Sequence, residues 1–149
     1  IIKTDYILFI AAGAFHVSNI EDLIPELQGR FPVRVELDNL TSKDFYKILT
    51  QPKNAITKQQ IELLKVDNIN LSFDDEALQE IAEIAEMENE SNENIGARRL
   101  YTIMEDLLEE ISFDAGDDHP MVDVKVTKQF VLNALGTTIS NHDMSKYIM

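Results

Sequence analysis

Hydrophobic and polar positions along this chain change rhythm several times, and each change marks an element. The continuous apolar run Tyr6-Ile7-Leu8-Phe9-Ile10 predicts a buried strand. Small residues at 11–14 give it a tight exit, and residues 18–22 read as a loop. Pro25 suits the first position of a helix, where its missing N–H costs nothing. Gly29 and Pro32 are expected to end that helix early, leaving Arg30 on an exposed turn just past it. Val33, Val35 and Leu37 alternate with Arg34 and Glu36, which predicts a second strand with one polar face.

Composition shifts after Leu37, and a boundary is expected at residues 38–41, with mostly helical chain beyond it. Thr41 or Ser42 is expected to cap a helix reaching about Thr50, with Phe45, Ile48 and Leu49 inward. Residues 51–54 contain Pro52 and break the chain; Thr57 is expected to cap a helix to about Val66. Ile69, Leu71 and Phe73 alternate as a short strand. Asp74 or Asp75 then caps an acidic helix facing inward through Ala77, Leu78, Ile81, Ala82 and Ala85. The polar residues 86–93 read as loop. Leu100, Ile103, Met104, Leu107, Leu108 and Ile111 follow the stripe of a long amphipathic helix. Residues 114–120 form a turn-rich connection. Val122, Val124 and Val126 alternate as another strand, and Thr127 caps a helix carrying Phe130, Val131 and Leu135, which Gly136 is expected to stop.

Charge singles out one stretch. From Asp74 to Glu93 there are nine acidic residues and no Lys or Arg, and then Arg98 and Arg99 stand at the start of a helix. Arginines there oppose the macrodipole, whereas guanidinium groups beside free backbone N–H groups can hold an anion such as phosphate. The alternative is that the pair neutralises the acidic helix before it. Arginine occurs at only four positions, Arg30, Arg34, Arg98 and Arg99, so its clustering is informative.

The remaining composition mostly excludes. A net charge of −14 argues against a continuous nucleic-acid surface. The longest apolar run is too short to cross a bilayer, and no basic segment followed by an apolar one marks a signal peptide. A chain without cysteine carries no disulfide framework, compatible with the cytosol. Its opening without Met leads us to expect a piece of a longer polypeptide. His16, His119 and His142 lack ligand spacing, so no metal site is expected. No Gly-x-x-x-x-Gly-Lys-Ser/Thr loop occurs, so the chain is not expected to hydrolyse a nucleotide unaided.

Three segments carry a family resemblance. The first is Ile7-Leu8-Phe9-Ile10-Ala11-Ala12-Gly13-Ala14-Phe15, followed by residues 23–37 with Pro25-Glu26-Leu27-Gln28-Gly29-Arg30-Phe31-Pro32. The second is Glu93-Asn94-Ile95-Gly96-Ala97-Arg98-Arg99-Leu100, and the third is Ser145-Lys146-Tyr147-Ile148-Met149. Together they resemble the C-terminal portion of the HslU (ClpY) family, AAA+ unfoldases that serve the HslUV protease. The first two are shared with the related ClpX unfoldases, and the tail favours HslU.

The resemblance implies an α/β fragment. Residues 1–38 would be the C-terminal edge of the AAA+ large subdomain, with two strands and a short helix. Residues 39–149 would be the mostly helical small subdomain with short strands, ending in a docking tail at 141–149. Arg30 would be the arginine finger and Glu26 would lie near the nucleotide. Arg98 and Arg99 would form the sensor-2 motif closing over the phosphates of ATP. The tip after Ile10 holds Ala and Gly where many AAA+ proteins have a polar sensor, so no sensor is assigned there. Ser145, Lys146, Tyr147, Ile148 and Met149 would dock into the HslV peptidase and activate it.

The complete parent would form a cytoplasmic hexameric ring, bind Mg with its ATP, and act on protein substrates without nucleic-acid or membrane partners. Its phosphate loop and Walker B acids would precede this chain. Lys146 and Tyr147 stand where the family has Arg and Phe, and Lys offers no bidentate contact. Two other readings stay open: a ClpX-like unfoldase feeding another peptidase, and a free-standing acidic interaction module whose arginines make structural salt bridges.

Overall fold

A computed structural model describes residues 5–15, 17–114 and 120–145. Its backbone divides into two units, Ile1–Asp38 and Asn39–Met149. The molecule is mixed α/β and mostly helical.

In the first unit, a single 3-10 turn at Ile20–Asp22 precedes helix α1, Pro25–Arg30. Pro25 does open α1, but Gly29 and Arg30 lie inside it rather than beyond it. Gly29 has no left-handed backbone to force a stop. The helix ends where Phe31 N–H reaches the Leu27 carbonyl at 3.0 Å and Pro32 follows. The two predicted strands do not form: residues 7–10 and 33–37 belong to no ladder. A strand needs a neighbour to receive its N–H and C=O groups, and these segments have none among the described residues. Leu8, Ile10, Val33, Val35 and Leu37 are accordingly exposed.

The second unit holds the core. Helix α2, Ser42–Thr50, starts where the Asp44 carboxylate accepts Thr41 Oγ1 at 2.7 Å and Thr41 N–H at 3.3 Å. Phe45 and Leu49 are fully buried on its inner face. Helix α3, Ile56–Val66, begins one residue before Thr57, which is therefore no cap. Thr57 Oγ1 instead donates to the Leu49 carbonyl at 2.8 Å, satisfying one of the free carbonyls at the end of α2. Past α3, Asn68 takes a left-handed φ of 58°, the conformation that closes many helices.

Strand β1, Ile69–Phe73, pairs in parallel with β2, Val122–Val126, in the register Ile69 with Val122 through Phe73 with Val126. A parallel pair requires a long crossover, here containing helices α4, Asp75–Ser91, and α5, Arg99–Asp114. The end of the pair is pinned twice: Asp74 N–H donates to the Val126 carbonyl at 3.0 Å, and Lys125 Nζ meets the Asp74 carboxylate at 2.8 Å. Helix α6, Lys128–Ser145, is started by Thr127, whose Oγ1 accepts the Phe130 N–H at 3.3 Å. It runs through Gly136, where a stop was expected. Glycine in a helix interior weakens it but ends it only by turning left-handed, and Gly136 does not.

Ala77, Ile81, Ala82 and Ala85 of α4, the Leu100 to Leu108 stripe of α5, Val126, and Val131 with Leu135 of α6 make one buried cluster. The expected α4 and α5 faces thus lie inward, except that Leu78 is only half-buried and stands outside the cluster. The expected loop at residues 86–93 is instead largely helix, since α4 continues to Ser91.

Candidate functional site

The site is built where α4 hands over to α5. Every fourth residue of α4 faces the core, from Ile81 to Ala85 to Asn89, so the stripe ends in an amide. Asn89 is only 7% exposed, and a polar group so buried must find partners. Its Nδ2 donates to the Gly96 carbonyl at 3.1 Å. Its Oδ1 accepts Arg99 Nε at 3.1 Å and the Ile95 N–H at 3.4 Å.

Gly96 opens a short 3-10 turn, Gly96–Arg98, with φ of 59°, a conformation open to glycine at no steric cost. Its N–H donates to Asn94 Oδ1 at 3.0 Å, and Asn94 Nδ2 donates to Asn39 Oδ1 at 2.9 Å. Helix α5 then begins at Arg99.

The two arginines differ sharply. Arg99 is folded back against α4: its side chain is 13% exposed and its Nε lies 3.6 Å from Glu88 Oε2. Its Nη2 donates to the Glu93 carbonyl at 2.8 Å. Arg98 is exposed and makes no hydrogen bond or ion pair among the described residues. One guanidinium is thus committed to closing the turn, and its neighbour is left available for an external anion.

The other predicted positions lie in the first unit. Arg30 sits in the last turn of α1 and Glu26 in its first, both exposed, and neither side chain makes a hydrogen bond or ion pair among the described residues. Arg34 is paired with Glu21, Nη1 to Oε1 at 3.1 Å. In the tail, Ser145 is the last residue of α6, while Lys146, Tyr147, Ile148 and Met149 lie outside the described residues. Among the described residues no group of acidic residues and histidines is arranged to hold a metal ion. No described helix is long and apolar enough to cross a membrane.

Asn89 is the residue that the sequence reading passed over. Its signal was present: it continues the spacing of Ile81 and Ala85, but it stands in a run of glutamates that reads as solvated loop.

Several known proteins match the chain closely. The ATP-dependent protease ATPase subunit HslU of Caldicellulosiruptor saccharolyticus is 54% identical over 148 residues, covering 99% of this chain and 32% of that protein. The HslU subunit of Campylobacter jejuni subsp. doylei is 56% identical over 148 residues, again 99% of this chain, and 34% of its own length. That of Persephonella marina is 54% identical over 151 residues, 99% of this chain and 33% of that protein. The chain spans about a third of the length of the curated relatives it matches. No protein-family model matches it. With more than half its residues shared along almost its whole length, on a mixed α/β fold with the Gly96-Ala97-Arg98-Arg99 turn at a helix start, the chain belongs to the HslU family.

Proposed function

We propose that this chain is a C-terminal part of an ATP-driven protein unfoldase, contributing phosphate-reading arginines and a docking tail to a larger machine. The observation that carries this reading is the 52–56% identity to HslU ATPase subunits over 99% of the chain. Residues 1–38 are the edge of the large AAA+ subdomain and residues 39–149 the small one. The exposed apolar segments at 7–10 and 33–37 then await strands supplied by the rest of the parent.

Arg30 is the arginine finger, offered from the end of α1 to ATP held by a neighbouring subunit of a hexameric ring, with Glu26 close to the same nucleotide. Charge develops on phosphoryl oxygens during transfer, and a guanidinium brought from outside the phosphate loop stabilises it. Mg would be held by acidic residues elsewhere in the parent. Arg98 is the group that meets the phosphates. Arg99 belongs to the same motif but acts by fixing the turn, since its hydrogen bonds are already made within the fold. Contact with ATP that ADP does not reproduce couples the nucleotide to the angle of the small subdomain. Ser145 to Met149 docks into the HslV peptidase, with apolar side chains entering a preformed groove. The parent machine on this reading is cytoplasmic and acts on protein substrates.

In the full-length protein, Arg98→Ala and Arg30→Ala are expected to abolish most ATP turnover while leaving the melting temperature unchanged. Normal turnover in either variant removes that residue from the site. Arg99→Ala is expected to lower the melting temperature as well, because it frees the Asn89 and Glu93 acceptors. A peptide spanning residues 141–149 should stimulate HslV; no stimulation at saturating peptide would point to a ClpX-like partner instead.

A further inference from the structure

Asn89 occupies a position where the α4 stripe calls for an apolar side chain, and its bonds all go to the turn that carries Arg98. They bracket that residue. Ile95 N–H and the Gly96 carbonyl are held on one side, and the Arg99 guanidinium on the other. Gly96 is gripped a second time through its N–H by Asn94. Both polar groups of one left-handed peptide residue are therefore fixed by asparagine amides, while the Arg98 side chain makes no hydrogen bond or ion pair among the described residues.

We propose that Asn89 is a positioning residue for nucleotide sensing, fixing the backbone before Arg98 and the side chain after it so that the Arg98 guanidinium is presented to ATP in one direction. This rests on the reading of Arg98 as a phosphate contact. A backbone held before the ligand arrives loses less freedom on binding, so the effect appears in ATP affinity and turnover rather than in new contacts. The Asn94 side chain adds to the same device and extends it to Asn39, the first residue of the second unit.

A double-mutant cycle in the full-length protein tests it, with ATP affinity measured by calorimetric titration and turnover by phosphate release. Arg98→Ala is expected to weaken ATP binding about tenfold, and Asn89→Ala about three- to tenfold, the scale of lost hydrogen bonds at a buried amide. The double variant should bind ATP no worse than Arg98→Ala alone, because Asn89 then has nothing left to position. Equal weakening by Asn89→Ala in both backgrounds would overturn the proposal, since a general loss of structure acts regardless of Arg98. Asn94→Ala supplies a second arm that leaves the core intact. It loosens the same Gly96 peptide from an exposed side chain and should weaken ATP binding about twofold, again only when Arg98 is present. If Asn89→Ala does not fold, the Asn94 arm decides, and unchanged affinity there overturns the positioning role. Normal ATP binding and turnover by Arg98→Ala would remove the nucleotide reading itself and this proposal with it. Impaired Arg98→Ala beside unaffected Asn89→Ala and Asn94→Ala would remove only the positioning role.

Discussion

Gly96 sits at a φ of 59° with open space where a Cβ would go, so alanine there isolates backbone strain from steric clash. Gly96→Ala is expected to destabilise the chain by about 1 kcal/mol, the cost of holding an L-residue left-handed, measured by urea denaturation. A loss several times larger would mean that the turn is packed more tightly than its open surroundings indicate. Thr57 poses the complementary case, a buried hydroxyl whose value lies in its acceptor. Thr57→Val keeps the shape but leaves the Leu49 carbonyl without its donor, and should cost about 1–2 kcal/mol, while Thr57→Ser should cost less. Equal denaturation midpoints for Val and wild type would show that water replaces the hydroxyl. Neither role was legible in full. Thr57 reads as a helix cap because threonine favours caps, and only the approach of α2 gives its hydroxyl a partner eight residues back.

Helices α2, α4 and α6 began where their side chains predicted, whereas α3 began one residue before its expected cap. The α5 stripe from Leu100 to Leu108 was fully legible, because five apolar residues at helical spacing bury together in only one way. The length of α4 was not: its last turns look like solvated chain until Asn89 is seen facing inward. The start of α2 gives a pH prediction. Hydrogen bonds from Thr41, then Lys47, hold the Asp44 carboxyl below its usual range. A carboxyl depressed in the folded state stabilises above its unfolded value, near pH 4, and that contribution is lost as pH falls through the lower folded value. Asp44→Asn should therefore lower the melting temperature at pH 7, with the gap to wild type closing as the pH falls below about 4. A gap independent of pH would assign the effect to helix capping by shape rather than charge. Lys128 behaves in the opposite sense: its bond to Glu80, 2.7 Å long, raises its pKa, so its contribution is lost only as pH rises above the usual lysine range.

At the scale of the whole molecule, every described residue of the buried cluster lies between Phe45 and Leu135, all within the second unit. A polypeptide of residues 39–149 is therefore expected to melt at the same temperature as the full 149-residue chain, followed by circular dichroism. A drop of many degrees would mean that residues 1–38 stabilise the core. The first unit presents Tyr6, Leu8, Ile10, Val33, Val35 and Leu37 to solvent with no ladder partners, the pattern that drives chains to associate edge to edge. Removing it should reduce self-association in light scattering. The strands expected there did not form for a physical reason: a hydrophobic run states what a segment would bury, and pairing depends on neighbours, of which these segments have none among the described residues.

The sequence by itself determined that the second unit holds these helices, most of their inward faces and the two short valine- and isoleucine-bearing segments, because a spacing pattern rests on residues a few positions apart. Its resemblance to the HslU family was equally local, carried by contiguous motifs. Only the tertiary structure decided that β1 and β2 pair in parallel, 53 residues apart at Asn70 and Asp123. It also decided that Arg99 is spent on Asn89 and Glu88, while the Arg98 side chain makes no such bond among the described residues. Adjacent arginines look alike in a string of letters. What separates them is the direction each leaves the helix, and a buried amide ten residues earlier fixes that for Arg99.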